Sequence, residues 1–343
     1  MFGKIKKLLH FLWKKRIFPH SQGTIESSEL SVDQVNAKIR DKLGTRKNFI
    51  VLSRYETYFS FLQDLDLWRN FQILSSKDSI IIRGNSICPL VINENNDKVI
   101  IFCHGVTNNR WGSFYCTHLF LQLGYRVVIY DARNHGISGK SYTTLGKIEA
   151  HDLEDVVNWT KKYCQPQQIG LYGFSMGAAT LLFWLGSFQT YHPEVKFLIC
   201  EAPFDNFSTQ MKRLAGTKNV NTWRYLIANR FLKYVLPSAQ NLGEVDPLGA
   251  LPDKLSVKLL LLHGTTDITI SWKASYNIWK HFHKDPANWK YINCYFFIEA
   301  DHGEVPFIGD ALVGRLRWIG DKCQKSQFNT FTELLVAFLK KNF

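Results

Sequence analysis

The stretch Ile169-Gly170-Leu171-Tyr172-Gly173-Phe174-Ser175-Met176-Gly177-Ala178-Ala179-Thr180 decides how the chain is read. Its first four residues are a short, largely apolar run of strand type, and its last residues are small and open a helix. Between them stands a serine with a glycine two residues to either side. That spacing belongs to a strained strand-to-helix turn, where bulky flanking side chains would block the close approach of strand and helix. The turn holds the hydroxyl of Ser175 at a helix N-terminus, where backbone N–H groups can receive negative charge.

Outward from this turn, short apolar runs alternate with helical stretches. The runs are Val99 to Cys103, Val127 to Tyr130, Ile169 to Tyr172, Val195 to Cys200, Val257 to Leu262 and Tyr291 to Ile298. Continuous runs suit strands covered on both faces, and the alternation implies a parallel sheet with crossover helices. Helices are expected over Gly112 to Leu123, Lys147 to Tyr163, Met176 to Phe188, Lys273 to Phe282 and Thr330 to Lys341. Phe71-Gln-Ile-Leu and Ser79-Ile-Ile-Ile flank the turn-like Ser75-Ser-Lys-Asp78 and read as a hairpin. Between Pro203 and Pro252 the chain is far longer than a βα unit needs, with an aromatic helical pattern over Thr222 to Val235. An insertion after a strand at that edge is expected to form a helical cap over the site, about residues 204–250; the alternative is a surface hairpin without substrate contact.

A serine hydroxyl is a weak nucleophile at neutral pH and needs a base. Ala300-Asp301-His302-Gly303 follows the last strand-like run and places His302 on a loop that can reach back over the turn. Asp301 adjoins it, but a neighbouring residue reaches the Nδ1 side of the ring only with difficulty. Asp267, just after the run Val257 to Leu262, is the better carboxylate to orient His302 and hold its tautomer; the plain alternative is a turn-forming or helix-capping Asp. Two donors are also needed for an oxyanion. They are expected to be the backbone N–H of Met176 and that of Val106, in the loop His104-Gly105-Val106-Thr107. His104 reads as a structural residue beneath that loop.

Hydrophobic residues make up 45% and charged residues 21% of the 343-residue chain, as in an ordinary globular protein. The 7 cysteines are scattered, odd in number and form no C-x-x-C pair, which argues against a disulfide framework or a zinc site and for a reducing, cytoplasmic setting. Net charge is +13, a statement about partners more than fold. No acid precedes Glu26, and residues 1–19 read as a basic amphipathic helix, with Phe2, Ile5, Leu8, Leu9, Leu12 and Trp13 on one side. It would lie on an anionic membrane surface through residues 1–18, making the protein peripheral, or pack on the catalytic domain with its basic side solvated. Asp33 to Asp41 reads as helical within an extension, residues 20–70, that carries few other signals. No transmembrane run and no nucleic-acid-binding motif is present, and oligomeric state is not legible.

These blocks together carry a resemblance. His104-Gly105-Val106, Asp131-Ala-Arg133-Asn134-His135-Gly136-Ile-Ser138, Gly173-Phe-Ser175-Met-Gly177, Asp267 and His302 resemble the α/β-hydrolase superfamily. They are most similar to its serine-aminopeptidase and monoacylglycerol-lipase-like (lysophospholipase) branch. There the second block runs D-x-R-G-H-G-x-S, so Asn134 stands where glycine is usual; that block shapes the floor beneath the nucleophile. Ile73 to Asp78 resembles the family's first hairpin, with Ser79 replacing the usual glycine. The resemblance covers roughly residues 70 to 343. It implies an α/β fold, a mostly parallel central sheet of about eight strands flanked by helices, within a catalytic domain over 71–343. It also implies hydrolysis of carboxylic esters, thioesters or amides without metal or cofactor.

The leading expectation is an esterase or thioesterase acting on a small-molecule ester or acylated substrate with a hydrophobic acyl chain. A peptidase releasing N-terminal residues would need an acidic group in the cap, which offers only Asp205, Glu244 and Asp246 among more numerous bases. A silent binding module is the reading from another class, and no triad residue is missing to support it.

Overall fold

Ten strands order as β1-β2-β4-β3-β5-β6-β7-β8-β9-β10 in one sheet. The computed structural model describes residues 68–89, 91–106, 108–110, 114–215, 245–306, 316–319, 322–325, 328 and 330–343. The helices expected over 1–19, Asp33 to Asp41 and Thr222 to Val235 lie outside them, as does the extension up to residue 67.

The hairpin is β1 (Trp68–Leu74) and β2 (Ile81–Ile87), paired antiparallel with Leu74 opposite Ile81. Strand β2 runs antiparallel to β4 (Arg126–Asp131). From there β4, β3 (Lys98–Cys103), β5 (Gln168–Phe174), β6 (Val195–Glu201), β7 (Lys258–Gly264) and β8 (Ile292–Phe297) are all parallel. These eight strands answer to the expected sheet of about eight. Two strands of four residues, β9 (Leu316–Ile319) and β10 (Lys322–Lys325), extend its edge antiparallel.

The central strands are apolar throughout because both faces are covered. Val99, Ile101 and Cys103 of β3 join one core, and Ile100 and Phe102 join the other. The helices α1 (Phe114–Gln122), α2 (Glu149–Cys164) and α3 (Met176–Phe188) follow β3, β4 and β5. Helix α4 (Phe207–Ala215) follows β6, α5 (Lys273–His283) follows β7 and α6 (Phe331–Asn342) closes the chain. Phe120 and Leu121 of α1 and Leu334, Leu335 and Phe338 of α6 fill one core. Leu153 and Val157 of α2, Leu181 and Trp184 of α3, and Ile278 of α5 fill the other. Each such side chain taken fully from water stabilises the fold by about 1.5–3 kcal/mol. Thr330 caps α6 by accepting from Glu333 N–H, which fixes the start that the sequence implied.

Beneath the site, the block Asp131 to Ser138 is tied down by buried charges. The Arg133 guanidinium donates to both oxygens of Asp152 at 2.7 Å and to Asp78 at 2.7 Å, joining the first hairpin to α2. Asp131 accepts from the backbone N–H of Arg110 and of Ile137 and pairs with the Arg110 guanidinium. Asn134 takes a φ of 62°, the left-handed conformation that explains the usual glycine there and that Asn tolerates well.

The insertion after β6 leaves and returns at one point. Phe207 N–H donates to Val245 O, and Leu248 N–H donates to Asp205 O, both at 2.9 Å. Among the described residues no helix is long and apolar enough to cross a membrane. Burial pushes the Cys103 thiol up to about 12 and also raises Cys200 and Cys294, so these three behave as small apolar groups.

Candidate active site

The strand β5 ends at Phe174 and α3 begins at Met176, which leaves Ser175 as the whole turn. Its φ is 55° and ψ −112°, outside the regions a non-glycine residue ordinarily adopts. The glycines are required by contact. A Cβ on Gly173 would stand 2.5 Å from the Gly177 backbone, and one on Gly177 would stand 2.0 Å from Cys103 O. The turn is held by Ser175 N–H donating to Glu201 O of the neighbouring strand. The Ser175 hydroxyl does not cap α3. It lies 3.1 Å from Nε2 of His302.

His302 follows β8 on a loop that crosses the end of the sheet, and its Nδ1 lies 2.8 Å from Asp267 Oδ2. Because a carboxylate only accepts, Nδ1 carries the proton and Nε2 turns its lone pair to the serine. Asp267 follows β7 and is 4% exposed. Its other oxygen accepts from Thr269 and Ile270 N–H at 2.8 and 2.7 Å. Burial alone would raise the Asp267 carboxyl. The charges and hydrogen bonds of His302 and His263 outweigh it and hold the group well below the usual carboxylate range. Ser175 is 6% exposed, and the His302 side chain 12%. Three residues from three separate loops thus form one hydrogen-bonded line.

Asp301 has a different place. One carboxylate oxygen accepts from its neighbour's N–H, at His302, and from Ile268 N–H at 3.0 Å, so it staples the His302 loop to the Asp267 turn. The loop after β3 lies against the serine. A Cβ on Gly105 would be 3.4 Å from Ser175 Cβ. Ala132 N–H donates to His104 Nε2, so His104 Nδ1 carries the proton and donates to Gly105 O at 2.8 Å. A trans peptide points its C=O and N–H in opposite directions, so the Val106 N–H is turned away from His104. Met176 is the first residue of α3, where N–H groups have no partner within the helix.

Residues 98–247 match the family described as alpha/beta hydrolase fold. The chain has the alpha/beta hydrolase fold. A curated relative, the uncharacterized protein YqkD of Bacillus subtilis (strain 168), is 37% identical over 189 residues, covering 54% of this chain and 59% of the relative. The match thus spans about three fifths of that relative's length. Among solved structures, an esterase of Pyrococcus furiosus superposes with a TM-score of 0.55 at 22% identity, covering 72% of this chain and 87% of that one. An acylaminoacyl peptidase superposes with a TM-score of 0.51 at 19% identity, covering 69% of this chain and 38% of that one.

In this fold the loops that follow the parallel strands carry the site, and two further residues there were not legible in the sequence. His263, on β7, packs its ring against the Asp267 carboxylate. Arg213, on α4, donates to the carbonyls of Asp267, Ile268 and Thr269 at 3.0 to 3.2 Å. Both act through contacts between distant segments, which no local pattern announces.

Proposed function

We propose that the protein is a serine hydrolase that cleaves carboxylic esters or thioesters with a hydrophobic acyl chain. The observation that carries this is the line from Ser175 Oγ to His302 Nε2 and from His302 Nδ1 to Asp267 Oδ2, at 3.1 and 2.8 Å. Ser175 attacks the acyl carbon while His302 takes its proton as general base. Asp267 stays ionised, holds the tautomer and stabilises the imidazolium. The oxyanion of the tetrahedral intermediate is received by the N–H groups of Met176 and Val106. Collapse expels the alcohol or thiol, which takes the proton from His302. Water, activated by the same base, then frees the acyl group from Ser175.

Ester over N-terminal peptide is supported by the use of Asp205, the first acid of the insertion. It is buried, and its carboxylate already accepts from Asn206 N–H, Gln210 and Asn277. It is therefore not free to receive a substrate ammonium. We assign the basic segment 1–18 to an anionic membrane surface on the cytoplasmic side. Salt-sensitive binding to anionic liposomes, lost on removing residues 1–19, is the expected result; equal binding by both forms would overturn it.

The test of activity is hydrolysis of p-nitrophenyl esters of graded chain length by wild type and Ser175→Ala. A loss of about a thousandfold or more in the variant is expected, with a chain-length optimum that sizes the acyl site. A wild type inactive on every ester, and unlabelled at Ser175 by a fluorophosphonate, would refute the assignment.

A further inference from the structure

The Asp267 carboxylate is shared by two imidazoles. His302 Nδ1 stands 2.8 Å from Oδ2, and His263 Nε2 stands 3.3 Å from the same oxygen. His263 is fully buried at the end of β7. Its Nε2 is also 3.1 Å from Ile270 O, and its Nδ1 is 2.7 Å from the Ser275 hydroxyl on α5. Both neighbours of Nε2 only accept, so the proton sits on Nε2 and Ser275 donates to Nδ1.

We infer that His263 is a positioning residue: its Nε2–H, shared between Asp267 Oδ2 and Ile270 O, holds the carboxylate in the orientation that His302 requires. The inference rests on the proposed triad and adds a role outside it. With Thr269 and Ile270 N–H on Oδ1, His302 Nδ1–H on Oδ2 and His263 Nε2 3.3 Å from Oδ2, donors face both oxygens of the carboxylate. Ser275 fixes the ring that fixes the acid, so the chain of orientation runs from α5 through β7 to the serine.

The other charged groups near the pair leave Oδ2 to the two rings. Asp301 faces backbone N–H groups, Glu304 accepts from Asp301 N–H, and Arg213 spends its donors on the carbonyls of the acid turn.

The experiment compares His263→Leu, His263→Gln and Ser275→Ala in the full chain. In His263→Leu, kcat on an ester is expected to fall about ten- to a hundredfold with KM nearly unchanged. The glutamine amide can place an N–H near the Nε2 position and should restore most of that loss. Ser275→Ala should move the same way by less, and it keeps the question open to measurement if His263→Leu does not fold. A second readout needs no turnover. The Nδ1 proton of His302, followed by NMR in histidine-labelled protein, reports its bond to Asp267; its resonance should move upfield in His263→Leu and return toward the wild-type position in His263→Gln. An unchanged His302 Nδ1 proton resonance in a folded His263→Leu protein would overturn the inference, whatever happened to kcat. Failure of the hydrolase reading would instead appear as absent turnover in wild type, with the NMR difference still present.

Discussion

Two networks of buried polar groups lie within the same sheet edge, and they are built to opposite ends. The floor network, around Arg133, Asp152, Asp78 and Asp131, is closed: bidentate pairs and backbone donors satisfy its charges. The site network, around Asp267, His302 and Ser175, is saturated at the acid and runs out to a hydroxyl on a turn with φ 55°. A closed network fixes shape. A line that ends on a hydroxyl in a strained turn is laid out for proton transfer, the role proposed for it. The comparison predicts that substitutions in the floor are read as lost stability and substitutions in the line as lost rate.

The largest separation should come from Asp267→Asn. Its kcat is expected to drop by about 10³–10⁴, as when a triad carboxylate can no longer select the right tautomer, with a smaller loss of thermal midpoint than the floor variants show. Steady-state kinetics beside a melting curve measure both; a collapsed fold with normal turnover per folded molecule would reverse the comparison. Arg133→Met should do the opposite. It leaves Asp152 and Asp78 without their cation and costs about 3–5 kcal/mol in urea unfolding, while the folded fraction keeps its kcat. Gly177→Ala tests the turn itself, since the added methyl meets Cys103 O. A loss of about 1–3 kcal/mol is expected, together with slower turnover as the turn shifts.

Asp301→Asn sharpens the assignment of the acid. Asp301 binds backbone rather than the His302 ring, so the variant should lose less than about tenfold in kcat/KM; a loss matching Asp267→Asn would mean the two carboxylates had been assigned the wrong way round. The smallest effect concerns acid stability. The Asp267 carboxyl titrates below its unfolded-chain value of about 3.9. Its stabilisation is complete above that value and is lost as pH falls through the folded value. Urea midpoints of Asp267→Asn should therefore fall less steeply than those of wild type from about pH 5 to about pH 3.

What the sequence made legible follows from the same physics. Each parallel strand, buried on both faces, had to be an apolar run, and the turn at Ser175 had to carry its glycines. Helix α4 went unread although Phe207, Met211 and Leu214 stand at helical spacing, because its 9 residues give the pattern little length in which to repeat. A signal was present in Asn206, whose side chain accepts from Thr209 N–H at the helix start. Strands β9 and β10 are four residues each, too short to stand out from a loop. His263 looked like the last apolar-run neighbour because its partners, Ser275 and Asp267, come from separate segments that only the fold brings together.

The neck formed by Phe207 with Val245 and Leu248 with Asp205 has an evolutionary consequence. Two adjacent hydrogen-bonded crossings hold the start and the end of this interval together, so the number of residues between Ala215 and Val245 is no constraint on the register of β6 and β7. The segment is a replaceable cassette. A lineage can exchange it, lengthen it or shed it while the groups at the strand ends are inherited unchanged.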